Sequence, residues 1–283
     1  MLAGLFRTTK TKPWEIPAEP GESPADLKER RRQAYFDDQR ENNLEWFKRM
    51  NFQIDVRGMR VLDLGCGHGA LSLGFAERGA AQVVGLDLDA DRIDFATRNR
   101  NTAFPELTER VQFRCEDVMD MNDQFDLIVS KDAFEHIDDL SGVIRHLHSL
   151  LKPGGYLAPG FSPLYFSPFG DHARYEVKIP WAHAVTPEKL LVWWLNQRTD
   201  KGVSNSMDLG LNRLTPKGFR EIFADTSAWE SVNIQYNRGD NRLFSVFNAL
   251  RQLPGIEKFF TTSIYAVARK VRAPSSSAQG TAR

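Results

Sequence analysis

The chain has 283 residues, 41% of them hydrophobic, enough for one full α/β core with an accessory layer beside it. Lysine plus arginine equals aspartate plus glutamate at 37 each, so no net field draws nucleic acid or an anionic membrane surface, and a small-molecule partner fits better. The two cysteines, Cys66 and Cys115, are too few for a disulfide framework or a four-cysteine zinc site, and read as free thiols in a reducing, cytoplasmic setting. The N-terminal residues lack the apolar stretch of a secretory signal. The longest uncharged run, Pro153 to Gly170, is broken by prolines and falls short of the roughly 20 residues of a spanning helix.

Residues 1–22 are rich in proline, glycine and charge and read as loosely held. Ser23-Pro24 opens a helix to about Phe52, with Leu27, Ala34, Phe36, Leu44, Phe47 and Met50 near helical spacing and Lys28 to Arg32 on its solvated face. From Met59 short apolar strands alternate with helices. The pattern predicts strands at Val61–Leu64, Gln82–Leu86, Val111–Cys115, Phe125–Ser130 and Gly155–Ala158, with helices at Ala70–Arg78, Asp91–Arg100 and Leu140–Leu151 between them. Repeated βα units of this kind imply a doubly wound parallel sheet. After Phe161 the rhythm breaks into an aromatic, proline-rich stretch, then a helix opened by Thr186-Pro187 and running through Leu190, Leu191, Trp193 and Trp194. This is an insertion, read as a lid over 161–214. A helix opened by Thr215-Pro216, a strand at Trp229–Tyr236, a helical piece at Leu243–Leu253 and a strand at Thr262–Ala268 return to the sheet. The chain thus divides into a tail and helical extension (1–52), a core (53–160), the lid, the rest of the core (215–272) and a disordered polar tail (273–283). His146 and His148 read as solvent-facing.

The sharpest signal is Asp63-Leu64-Gly65-Cys66-Gly67-His68-Gly69 at the join of the first strand and its helix. Glycines there let the backbone turn tightly and approach a ligand, and the helix behind them presents free N–H groups. Gly65-x-Gly67-x-x-Ala70 alone also passes as a dinucleotide fingerprint. Asp63 argues otherwise, because a carboxylate suits a ligand's ammonium group and not a pyrophosphate. Asp87 ends the second strand where a ribose-binding carboxylate stands, some 20 residues past the glycines. Asp117 ends the third strand, able to accept from an adenine amino group. Three successive strand ends therefore describe a ligand with a cationic amino acid, a ribose and an adenine.

With these residues the sequence resembles the class I S-adenosylmethionine (SAM)-dependent methyltransferases. Phe125 to Ser130 followed by Phe134-Glu135-His136-Ile137 is similar to that family's fourth-strand region, and Leu150 to Leu157 to the approach to its fifth. The resemblance covers roughly 50–165 and, more loosely, 215–271. It implies a Rossmann-like α/β fold with a doubly wound, seven-stranded, mostly parallel sheet and an antiparallel last strand. It also implies methyl transfer from SAM, leaving S-adenosylhomocysteine. Asp63 and Gly65 would lie near the methionine part of the cofactor, and Gly67, Gly69 and Leu88 would also bind it. Asp87 would bind both ribose hydroxyls, Asp117 with the Val118 N–H would read the adenine, and the Ser130 carbonyl would sit near the sulfonium.

Such a reaction needs mainly in-line geometry, and a general base when the acceptor is a hydroxyl. His136, His172 and His183 are the candidates for that base, which favours oxygen of a sugar or natural-product-like metabolite as the acceptor. Asp132, His136, Asp171, His172 and His183 supply nitrogen and oxygen donors, but no spacing among them matches a metal motif, so no metal site is assigned. The lid's aromatics suit either an acceptor wall or the lid's own core, and Asn205, Asn212 and Arg213 stand near it without a motif. A macromolecular acceptor, a non-methylating use of SAM and a nicotinamide-dependent oxidoreductase stay open as alternatives. Oligomeric state is not legible.

Overall fold

Along the strands, apolar side chains alternate between two burying faces. Val61, Val83, Val111, Leu127 and Val129 enter one hydrophobic layer, while Leu62, Val84, Leu86 and Ile128 enter the other. This period of two, with both faces apolar, is what a sheet covered on both sides requires. The computed structural model describes residue 12 and residues 14–177, 179–225, 227–240 and 242–272; the expected tail at 273–283 lies outside them.

The strands are β1 (Arg60–Leu64), β2 (Gln82–Asp87), β3 (Val111–Cys115), β4 (Phe125–Lys131), β5 (Leu151–Phe161), β6 (Trp229–Tyr236) and β7 (Ile264–Lys270). The helices are α1 (Pro24–Met50), α2 (Ala70–Glu77), α3 (Ala90–Ala103), α4 (Leu140–Leu150), α5 (Ala182–Val185), α6 (Glu188–Asn196), α7 (Pro216–Ile222) and α8 (Arg242–Leu250). One seven-stranded sheet has the order β3-β2-β1-β4-β5-β7-β6. The first five strands pair in parallel, and β7 runs antiparallel between β5 and β6. This is the Rossmann-like, doubly wound arrangement with an antiparallel last strand that the sequence implied.

Strands β5 and β7 start away from their expected positions for identifiable reasons, and helix α8 ends at Leu250, three residues before its expected end. β5 begins at Leu151, because the apparent turn Pro153-Gly154-Gly155 is an irregular start to the strand, with Leu151 opposite Phe125 before the register shifts. β7 begins at Ile264, because the Thr262 N–H is donated to the Asn237 side chain (2.7 Å) and not to the ladder.

Helices α1, α2 and α3 cover one face through Phe36, Phe47, Leu73, Phe75 and Phe95, and α4 and α7 cover the other through Ile144, Leu147 and Phe219. Helix α1 starts where the Ser23 hydroxyl accepts from the Asp26 N–H (3.1 Å), an N-cap. Of the segment expected to be loosely held, residues 14–22 are anchored, and residues 1–11 and 13 lie outside the described residues. Arg31 and Arg30 donate to the carbonyls of Ile16 and Pro17, and Trp14 sets its edge on Tyr35, 4.9 Å between ring centres. His146 and His148 are half-buried, not solvent-facing, each with Nε2 on a carbonyl, of Met121 and Ala228 respectively (3.1 Å each).

The lid has its own core of Tyr165, Phe166, Tyr175, Leu191, Leu195 and Leu209. That accounts for these aromatics as packing, whereas Trp193 stays 58% exposed. Both cysteines are free, Cys66 buried and Cys115 exposed. Among the described residues no helix is long and apolar enough to cross a membrane.

Candidate active site

Strand β1 pairs with β2 on one side and β4 on the other, so the connections leaving β1 and β4 depart to opposite faces and open a crevice at the strands' carboxyl ends. The Gly65–Gly69 loop forms one wall. The N–H groups of Gly65 and Cys66 both donate to the Leu86 carbonyl (2.8 Å each), tying the loop to β2. A Cβ on Gly65 would stand 2.7 Å from that of Ala133, so the close passage of the β1 and β4 loops requires glycine there. Gly67 differs: nothing lies within 4 Å of where its Cβ would be, yet its φ is +53°, and glycine serves the left-handed turn.

Two recesses occupy this crevice and meet at Gly65, Arg92 and Asp132. The larger, about 440 Å³, is of ligand-pocket size. It is lined by Asp87, Leu88, Asp117, Val118, Met119 and His136, among others. Asp87 accepts from the Gly67 N–H and the Asp89 N–H (2.9 Å each), which leaves lone pairs on both oxygens for a diol. Asp117 caps the turn after β3, accepting from the Met119 N–H (2.9 Å). Leu88 and Met119 are 73% and 48% exposed; two large apolar side chains open to one recess suit the faces of a flat ring.

The smaller recess, about 120 Å³, holds Asp63, Gly67, Tyr35, Asn43 and Lys131. Asp63 is 1% exposed and accepts from the Ser72 hydroxyl (2.6 Å). Burial pushes its pKa from 3.8 up to about 6, against the opposing pull of Ser72 and Lys131. Lys131 donates to the Asn43 side chain (3.3 Å), and burial lowers its pKa. An anion and a cation thus face one small polar space closed from above by α1. Ser130 is buried, its hydroxyl donated to the Leu64 carbonyl (2.9 Å).

Past β4 the chain turns sharply at Asp132, which holds φ +52° while its carboxylate accepts from the Ser162 N–H (3.0 Å). A left-handed non-glycine residue at a cleft is stored strain of the kind functional sites carry. Glu135 and His136 follow in a single turn of 3₁₀ helix. His136 Nδ1 faces the Gly210 carbonyl (2.5 Å) and His172 Nε2 the Pro163 carbonyl (2.9 Å). A carbonyl only accepts, so each of these nitrogens carries the proton and the other nitrogen of each ring keeps its lone pair. The two rings lie 5.0 Å apart. Burial lowers both pKa values, that of His172 to about 4.

His183 is not part of this site. It is 1% exposed inside the lid, with Nε2 on the Tyr165 carbonyl (2.5 Å) and Nδ1 3.7 Å from the buried Asp171 carboxylate. Both residues belong to the lid's packing. The donor set that sequence spacing failed to reveal consists of His136 and His172 with Glu135, one donor atom from each lying within 4.8 Å of the others. Sequence reasoning also gave no role to Lys131, Arg92 or Tyr35, none of which sits in a motif. Asn212 proves to be the tie between lid and cleft, donating its amide to the carbonyls of Phe134 (2.7 Å) and Ile137 (2.8 Å).

Residues 55–160 match the family model described as a methyltransferase domain. With this sheet order and glycine loop, the class follows: the chain carries a class I SAM-dependent methyltransferase domain, and the cofactor of that domain is SAM. Particular relatives narrow the comparison. The ubiquinone biosynthesis O-methyltransferase of Coxiella burnetii (strain RSA 493 / Nine Mile phase I) is 33% identical over 108 residues, 37% of this chain and 44% of that protein. That of Bradyrhizobium sp. (strain ORS 278) is 30% identical over 154 residues, 50% of this chain and 59% of that one. The chain therefore matches about half the length of these relatives. The crystal structure of a SAM-dependent methyltransferase from Mesorhizobium loti covers 80% of this chain and 97% of its own with a TM-score of 0.52 at 23% identity, a shared fold.

Proposed function

We propose that the protein transfers a methyl group from SAM to a hydroxyl oxygen of a small acceptor held between the strand ends and the lid. The observation that carries this reading is the meeting of the two recesses at Gly65, Arg92 and Asp132. The smaller recess complements an amino-acid zwitterion, its ammonium on Asp63 and its carboxylate near Lys131. The larger takes the ribose on Asp87 and the adenine between Leu88 and Met119, with Asp117 and Val118 at its edge. SAM held by these residues would bring its sulfonium to where the recesses join, within reach of an acceptor beside His136.

The chemistry is one displacement. The acceptor oxygen attacks the methyl carbon, the carbon–sulfur bond breaks with its electron pair going to sulfur, and S-adenosylhomocysteine leaves. The hydroxyl proton passes to the free imidazole nitrogen of His136, with His172 behind it; such assistance contributes roughly 10²- to 10⁴-fold. The O-methyltransferase names of the relatives support oxygen as the acceptor atom. A soluble metabolite of the cytoplasm fits a chain of zero net charge.

The test is transfer from methyl-labelled SAM into a fractionated metabolite extract. A labelled small product with the methyl on oxygen is the expected result. Label confined to protein or nucleic acid, or SAM bound with no label transferred, would overturn the reading.

A further inference from the structure

Glu135 is an unusual residue to find buried next to His136, which lines this cleft. Its side chain is 4% exposed, and neither carboxyl oxygen has a well-formed hydrogen bond; the nearby Ser162 N–H is given to Asp132 instead. Buried carboxyls without partners are rare and costly, and one such group calls for a ligand that completes it. The neighbours supply the remaining parts. His136 and His172 each spend one ring nitrogen on a backbone carbonyl, which fixes the tautomer and leaves a lone pair on the other. That is the outer-shell arrangement seen around metal-binding imidazoles.

We propose that Glu135, His136 and His172 form a binding site for a divalent transition-metal cation of the zinc, cobalt or manganese type. One donor atom from each residue lies within 4.8 Å of the others. An ion centred in a triangle of that edge sits at most about 2.8 Å from each atom, so inward shifts of about 0.7 Å reach bonding distances of 2.0–2.2 Å. Two imidazoles with one carboxylate favour this class of metal over magnesium or calcium, which prefer all-oxygen shells. Among the described residues no other group of three such side chains comes together in this way. Three protein ligands leave positions open for water or an acceptor oxygen, and the lid, which brings His172, would complete the site.

Bound there, the cation would take from His136 the task of loosening the acceptor's proton. That use rests on the methyl-transfer reading, whereas the binding does not. The experiment therefore reads binding. Full-length protein is stripped with a chelator, dialysed and titrated with Co²⁺, following its visible ligand-field absorption, with Zn²⁺ as competitor. One equivalent of Co²⁺ should bind and be displaced by Zn²⁺. Glu135→Gln, nearly isosteric, and His172→Ala should each weaken Co²⁺ binding at least about tenfold while SAM affinity, which reports an intact fold, stays within about twofold. No stoichiometric Co²⁺ or Zn²⁺ on the wild type, or both variants binding like wild type, would overturn the proposal.

Discussion

Asp63 shows how much one residue's surroundings decide. Taken out of water by β1's central place in the sheet, it keeps one partner, the Ser72 hydroxyl, and its pKa rises from 3.8 to about 6. Between those values the folded protein without ligand binds more protons than the unfolded chain, so this group's contribution to stability falls as pH rises through that window. SAM affinity should move in the opposite sense, because an ammonium needs the ionised carboxylate. The other charged groups facing it, Lys131 and Asp87, pull its pKa in opposite directions. Titration calorimetry from pH 5 to 8 should show affinity weakening by roughly tenfold per unit below about 6 and levelling above 7. A flat profile would remove Asp63 from the ammonium's partners.

At the scale of elements, the strands were legible because their signal is local: apolar runs of the right length ending in glycine or acid. Strand β6 was expected and found at Trp229–Tyr236, and α1 within two residues of its expected end. Short helix α5 and the irregular start of β5 were missed, because both are stabilised by partners distant in sequence and not by their own pattern. The loop carrying Glu135 and His136 is another such case. Its shape depends on Asn212, whose amide holds two of its carbonyls and whose own oxygen accepts from the Leu214 N–H (3.0 Å). We expect Asn212→Ala to lower stability by about 2–3 kcal/mol and to act as the loss of a positioning residue. Turnover should fall about tenfold or more, with SAM affinity within about twofold. A variant with wild-type turnover would show that the lid does not set the loop.

For the whole molecule, the gathering of Asp63, Asp87 and Asp117 at one crevice was readable because each lies at or just past the end of a strand, and strand ends converge where the sheet order reverses. The cluster on the lid side was not. Glu135, His136 and His172 meet only because the lid folds back over β4, and His183, equally close to the cleft by sequence, is consumed by the lid's interior. Tyr165, Phe166 and Tyr175, which suited either a pocket wall or the lid's own core, are packing for the same reason. An insertion must first bury a core of its own before it can line anything else.

If SAM binds at the carboxyl ends of β1 to β4, its affinity hinges on Asp87, the carboxylate assigned to the ribose. Calorimetric titration of SAM into the wild type and Asp87→Ala should show a single site in the wild type. The variant loses the charged hydrogen bonds to the ribose and the brace on the Gly67 N–H, about 2–4 kcal/mol or roughly 30- to 1000-fold in affinity. Equal affinities, or no SAM binding to the wild-type protein, would contradict the account.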